Sequence, residues 1–111
     1  MLNNVVYKHK GVTAEFKVKE QYRNMKEILN TVPFVAENAI EAMKRAGIEP
    51  KPIIIRGGTD GSRLSFMGLP CPNLFTGEMG IHSRQEYVSV QDMEKAVVTM
   101  IHLITIWKEK A

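Results

Sequence analysis

The hydrophobic period changes several times along the chain, and each change predicts an element. Residues 11–20 read GVTAEFKVKE. Val12, Ala14, Phe16 and Val18 alternate there with Thr13, Glu15, Lys17 and Lys19. A period of two predicts a half-buried strand. Residues 3–9 fit either a strand or the last turns of a helix. QYRNMKEILN, residues 21–30, has no clear period and reads as a connector. A helical period follows. Val32, Val35, Ala39, Ile40 and Met43 form an apolar stripe, and Glu37, Glu41, Lys44 and Arg45 cover the other side. Thr31 is the expected N-cap, with Pro33 tolerated in the first turn. Glu41 and Arg45 are an i,i+4 pair. Gly47 is a natural stop, and Pro50 and Pro52 prevent continuation.

The segment IIIR, residues 53–56, is short, β-branched and apolar on both faces. That predicts an interior strand of a parallel sheet. Thr59 is the expected cap of a short helix running to Phe66 or Met67. CPNLFTG, residues 71–77, reads as a second buried strand, and EYVSV, residues 86–90, is strand-like. Ser89 and Asp92 then resemble a capping box. They open a helix with Met93, Val97, Met100, Ile104 and Trp107 on one face. Asp92, Lys95, Thr99, His102 and Glu109 lie on the other, where His102 reads as a surface residue. The order helix, strand, helix, strand, helix, preceded by one strand, predicts an α/β fold. No internal repeat, low-complexity segment or long linker interrupts it.

Composition narrows the function classes. A chain of 111 residues suits one domain or part of one. No apolar run approaches the roughly 18 residues that a membrane span needs, and MLNNVVYKHK lacks the apolar core of a signal peptide. With one cysteine, Cys71, neither a disulfide framework nor a cysteine-rich zinc site is available. These features predict a cytoplasmic protein without a membrane partner. The net charge of +3 comes from dispersed lysines and arginines, without the basic cluster and interleaved aromatics of a nucleic-acid reader.

Two places carry candidate chemistry. RGGTDGS, residues 56–62, is a strand end, two glycines and a helix start. It reads either as an anion cradle, in which Arg56 grips a carboxylate or phosphate in a bidentate fork, or as a tight turn with a surface arginine. It is neither a Walker A loop nor G-x-G-x-x-G. His82 sits in the loop-like LFTGEMGIHSRQEY, four residues before Glu86. It reads either as a metal ligand, with Glu86 orienting its ring, or as an ordinary loop histidine. Asp60 and Glu78 have no partner at a telling spacing, and Cys71 has no adjacent base.

RGGTDGSRLSFMGLPCPNLFTG, with a histidine five residues after its last glycine, closely resembles the C-terminal portion of the peptidase T family. These are tripeptide aminopeptidases of the two-zinc exopeptidase superfamily. QYRNM followed by a helix, IEPKPIIIRGG and EYVSVQDMEKAV fit the same pattern, so the resemblance spans nearly all of residues 12–107. It implies that residues 1–29 are the end of a lid domain and a connector. Residues 30–111 would be the C-terminal third of a zinc-exopeptidase-like catalytic domain. It further implies small peptide substrates, two zinc ions in the whole enzyme, His82 as a metal ligand, and Arg56 as the group that holds the substrate's C-terminal carboxylate. Glu86 takes a supporting role. No catalytic residue is assigned, because the remaining zinc ligands and the general base of the family lie in an N-terminal part without counterpart here. A C-terminal segment, inactive by itself and with no necessary zinc of its own, is the reading that follows. The other is a non-catalytic oligomerising or anion-binding α/β module. Interior strands deprived of neighbours also predict a homo-oligomer that covers their edges.

Overall fold

A computed structural model describes residue 9 and residues 11–111. Residues 3–8, which fit either strand or helix, lie outside the described residues. The elements run α1 (Lys26–Leu29), α2 (Pro33–Arg45), α3 (Asp60–Phe66), β1 (Glu78–Met79), β2 (Tyr87–Val88) and α4 (Val90–Lys110). β1 and β2 form a two-stranded antiparallel hairpin, with Glu78 opposite Val88 and Met79 opposite Tyr87. The described chain measures 66 × 37 × 19 Å, with a radius of gyration of 20.0 Å. A compact domain of about 100 residues has roughly 13 Å, so these elements do not surround one core.

The main packing is α2 against α4. Small side chains at Ala39 and Ala42 let the two helices approach, and Ala42 and Ile106 are fully buried. Thr99 is also buried, with its hydroxyl donating to the carbonyl of Lys95 at 2.8 Å. Phe34 and Trp107 meet edge to face at 5.8 Å between ring centroids. Polar groups close the seam beyond this aromatic pair. Lys110 Nζ donates to Oδ1 of the buried Asn38 at 2.7 Å and pairs with Glu41 at 2.8 Å. Arg45 bridges Glu41 at 2.6 Å and Glu109 at 2.8 Å.

Several local expectations hold. Gly47 ends α2 in the left-handed region at φ 72°, and Ile48 N–H reaches back to the Met43 carbonyl at 2.9 Å. Thr59 caps α3, and Ser89 caps α4 by accepting from Asp92 N–H at 3.0 Å. The cap of α2 is a correction. Val32 occupies the N-cap position without a side-chain bond, because the Thr31 hydroxyl is spent on the Ile28 carbonyl at 2.7 Å, closing α1. That helix lies within the supposed connector.

Two larger corrections concern faces and strands. α4 buries Ala96, Thr99, Leu103 and Ile106 at least partly, which is the arc assigned to polar residues. Its apolar stripe of Met93, Val97, Met100, Ile104 and Trp107 is exposed. The face of α2 likewise turns toward Asn38 and Ala42. The expected strands at 12–19, 53–56 and 71–77 form no ladder, so the helix–strand–helix–strand–helix order is not realised, and the α/β character rests on the small hairpin. Among the described residues these segments have no neighbouring strand to take their N–H and C=O groups, and a strand is defined by that pairing. Ile54, expected to be interior, is 96% exposed. No described helix is long and apolar enough to cross a membrane.

Ile106→Ala is expected to cost about 2–5 kcal/mol, the range for deleting a fully buried aliphatic side chain, measured by denaturant unfolding. A pH effect follows from the ion pairs. The hydrogen bond from Lys110, then that from Arg45, holds the Glu41 carboxyl below its ordinary value of 4.5, and Arg45 does the same to Glu109. Carboxyls with lowered values stabilise the fold fully above the ordinary value and lose that contribution as pH falls through the lowered one. Melting temperature should therefore be insensitive to these groups at neutral pH and fall in acid. The double variant Glu41→Gln/Glu109→Gln should flatten that fall, most clearly at low salt where exposed pairs are least screened.

Candidate functional site

Arg56 and His82 stand on separate supports. Arg56 begins the turn that leads into α3. The Thr59 hydroxyl oxygen accepts from Ser62 N–H at 3.3 Å and from Asn73 Nδ2 at 3.1 Å. Ser65 is buried; its hydroxyl donates to the Gly61 carbonyl at 2.7 Å and accepts from Cys71 N–H at 3.0 Å. Gly61 faces the Cys71 carbonyl so closely that a Cβ would lie 2.6 Å from its oxygen. On the other side of α3 the Ser62 hydroxyl donates to the Arg23 carbonyl, and the Arg23 guanidinium lies 4.6 Å from the centre of the Phe66 ring. The short helix is thus fastened from both directions.

The glycines of this turn act differently from a simple anion cradle. Space above Gly58 is filled by the ring of Tyr22, into which a Cβ at Gly58 would project. Gly57, at φ 107°, has open space around it. α3 has seven residues, too few for a strong dipole at its N-terminus. Arg56 itself is exposed and makes no ion pair or side-chain hydrogen bond among the described residues.

His82 lies in the loop between β1 and β2, exposed, with φ 63°. Among the described residues it is the one non-glycine with positive φ. Such a conformation costs of order 1–3 kcal/mol and persists only when neighbours enforce it. The enforcing group is Glu86, whose Oε2 accepts from the His82 backbone N–H at 2.7 Å. The expected role of Glu86 is therefore corrected in detail: it holds the histidine through its backbone and not through the ring. Ser83 N–H donates to the Gly80 carbonyl at 3.0 Å and Gln85 N–H to the Ser83 hydroxyl at 3.1 Å, completing the loop. Gly77 anchors the hairpin on α4, since a Cβ there would run into Asp92.

Among the described residues no group of three or more His, Cys, Asp or Glu gathers around a possible metal position. The residues present fit one donor position of a metal site, an exposed imidazole on a rigid loop. Asp60 sits in the first turn of α3 and Glu78 is exposed on β1, so neither joins His82 in a cluster. Cys71 is half-buried on the far side of α3. The contribution of Tyr22 had no spacing signal in the sequence, and the glycine pair hinted only that something passes close; Glu86 was marked by its spacing from His82, but not as the acceptor of its backbone N–H.

The structure thus presents a helix-rich α/β segment with Arg56 and His82 exposed on it, and its sequence is similar to part of known peptidases. No family model matches the chain. Peptidase T of Clostridium perfringens strain SM101 is 50% identical over 108 residues, covering 97% of this chain and 27% of that protein. Peptidase T of Caldanaerobacter subterraneus is 48% identical over 98 residues, 88% of this chain and 24% of its own length. Peptidase T of Parabacteroides distasonis is 44% identical over the same number of residues. The chain is similar to the C-terminal portion of peptidase T and spans about a quarter of the length of the curated relatives it matches.

Proposed function

We propose that the chain is the C-terminal segment of a zinc-dependent tripeptide aminopeptidase, contributing one metal ligand and one substrate anchor. The observation that carries this reading is the 50% identity to peptidase T across 97% of the chain. Residues 1–29 are then the end of a lid domain and the connector, and residues 30–111 the last third of the catalytic domain. His82 offers its imidazole from a loop held by Glu86. Arg56 offers a paired fork to the C-terminal carboxylate of a small peptide, which selects for short substrates with a free end. A zinc pair supplies, when bound, an activated water and a polarised carbonyl. A single histidine cannot hold a metal pair, so on this reading the chain by itself is inactive.

The purified chain is expected to hold little zinc and to leave tripeptides intact; stoichiometric zinc with turnover would overturn its inactivity. Replacing the matching quarter of Clostridium perfringens peptidase T with this chain tests the assignment. In that hybrid, His82→Ala should lower both zinc content and hydrolysis. Arg56→Ala should raise KM about 10- to 150-fold, the equivalent of losing a charge-assisted hydrogen bond of about 1.5–3 kcal/mol. A hybrid indifferent to both substitutions contradicts the reading.

The exposed Ile53–Ile55 segment and the apolar stripe of α4 also need cover. In the isolated chain a second copy supplies it, as a homodimer or larger assembly. Light scattering should give a mass at least twice 12.6 kDa, and Met100→Glu with Ile104→Glu should shift it toward the monomer. A compact monomer at all concentrations counts against self-association.

A further inference from the structure

We propose that Tyr22 is a positioning residue for Arg56, acting through Gly58. This rests on the assignment of Arg56 as the carboxylate anchor. The placement of Arg56 depends on what fixes the two glycines after it. At one end Thr59 is locked by Ser62 N–H and Asn73 Nδ2. Next to it Gly58 lies against the Tyr22 ring at a distance that only a residue without Cβ permits. Gly57 then remains as the single open joint between a fixed body and Arg56.

The chain beside Tyr22 is held. Its neighbour Arg23 accepts from the Ser62 hydroxyl through its carbonyl, covers Phe66 with its guanidinium, and pairs with Glu27 at 2.5 Å and Glu20 at 3.5 Å. Tyr22 thus stands next to a clamp, made by Arg23, that joins the connector to α3, more than thirty residues away in sequence. Removing the ring gives the turn a second loose joint at Gly58, because a glycine without a neighbour samples both signs of φ. The fork at Arg56 then spreads over more orientations, and the two parallel bonds to a carboxylate are lost part of the time. The atoms of Tyr22 nearest Gly58 are Cγ, Cδ1 and Cδ2 of the ring, so the contact does not call for the phenol oxygen.

The test uses the hybrid peptidase described above, with a tripeptide and its C-terminally amidated form as substrates. Tyr22→Ala should raise KM for the free acid about tenfold with kcat little changed, an anchor loosened and not lost. It should narrow the preference for acid over amide, while Tyr22→Phe keeps wild-type values. Should Tyr22→Ala fold poorly, Gly58→Ala, whose Cβ cannot share the space of the ring, should narrow the preference as well, by displacing the turn beneath Arg56 and not by loosening it. Tyr22→Ala/Gly58→Ala should recover part of it. Arg56→Ala separates the two ideas. If it abolishes the acid preference while Tyr22→Ala and Gly58→Ala leave it intact, the positioning role is overturned and the anchor stands. If Arg56→Ala itself leaves the preference intact, the anchor assignment falls first.

Discussion

Close approach of α2 and α4 is the constraint on which the remaining structure depends. It is possible because α2 presents Ala39 and Ala42 where a larger side chain would hold the helices apart. Ile106 fills the space so made, and Thr99 enters it by turning its hydroxyl onto its own helix. Asn38 and Lys110 close the polar end without an unpaired buried group among the described residues. Loss of this seam would detach α4, and with it the hairpin that Gly77 rests against Asp92 at the helix start.

Short polar bonds take over where helices do not reach. α3 is too short to be stable by propensity, yet it is tied at Thr59, Ser62 and Ser65 to segments on both sides. Glu86 plays the corresponding part at the hairpin, holding a histidine in a backbone conformation it would not otherwise keep. The two candidate side chains, Arg56 and His82, are left exposed while chain close to each is held. This suits groups that must meet a ligand at fixed geometry, because ordering entropy is already spent before binding.

Apolar surface left open is the complement of this economy. Ile53–Ile55, Phe16 and Val18 and the stripe on α4 carry side chains that a complete core would absorb. The peptidase T relatives are about four times as long as the stretch they share with this chain. An extended run such as IIIR has the composition of an interior strand but no partner among the described residues, so it keeps its propensity and makes no sheet.

Local chemistry was legible from the sequence because it acts over a few residues. Ser89 and Thr59 as caps, Gly47 as a stop, Pro33 in a first turn and the Glu41–Arg45 pair all act within a helical turn or two, and each is present. The turn at Arg56 and the loop at His82 were likewise marked by their glycines, and the resemblance carried by residues 56–82 agrees with the similarity to peptidase T. Tertiary structure alone decided which of two plausible faces α4 buries, since apolar residues on one arc and small ones on the other are equally helical in period. It also decided that Tyr22 occupies Gly58 and that Glu86 serves a backbone N–H, contacts made by folding distant or looped chain together and invisible to spacing. Strand propensity, finally, lies in the sequence, whereas a strand exists only where a second one pairs with it.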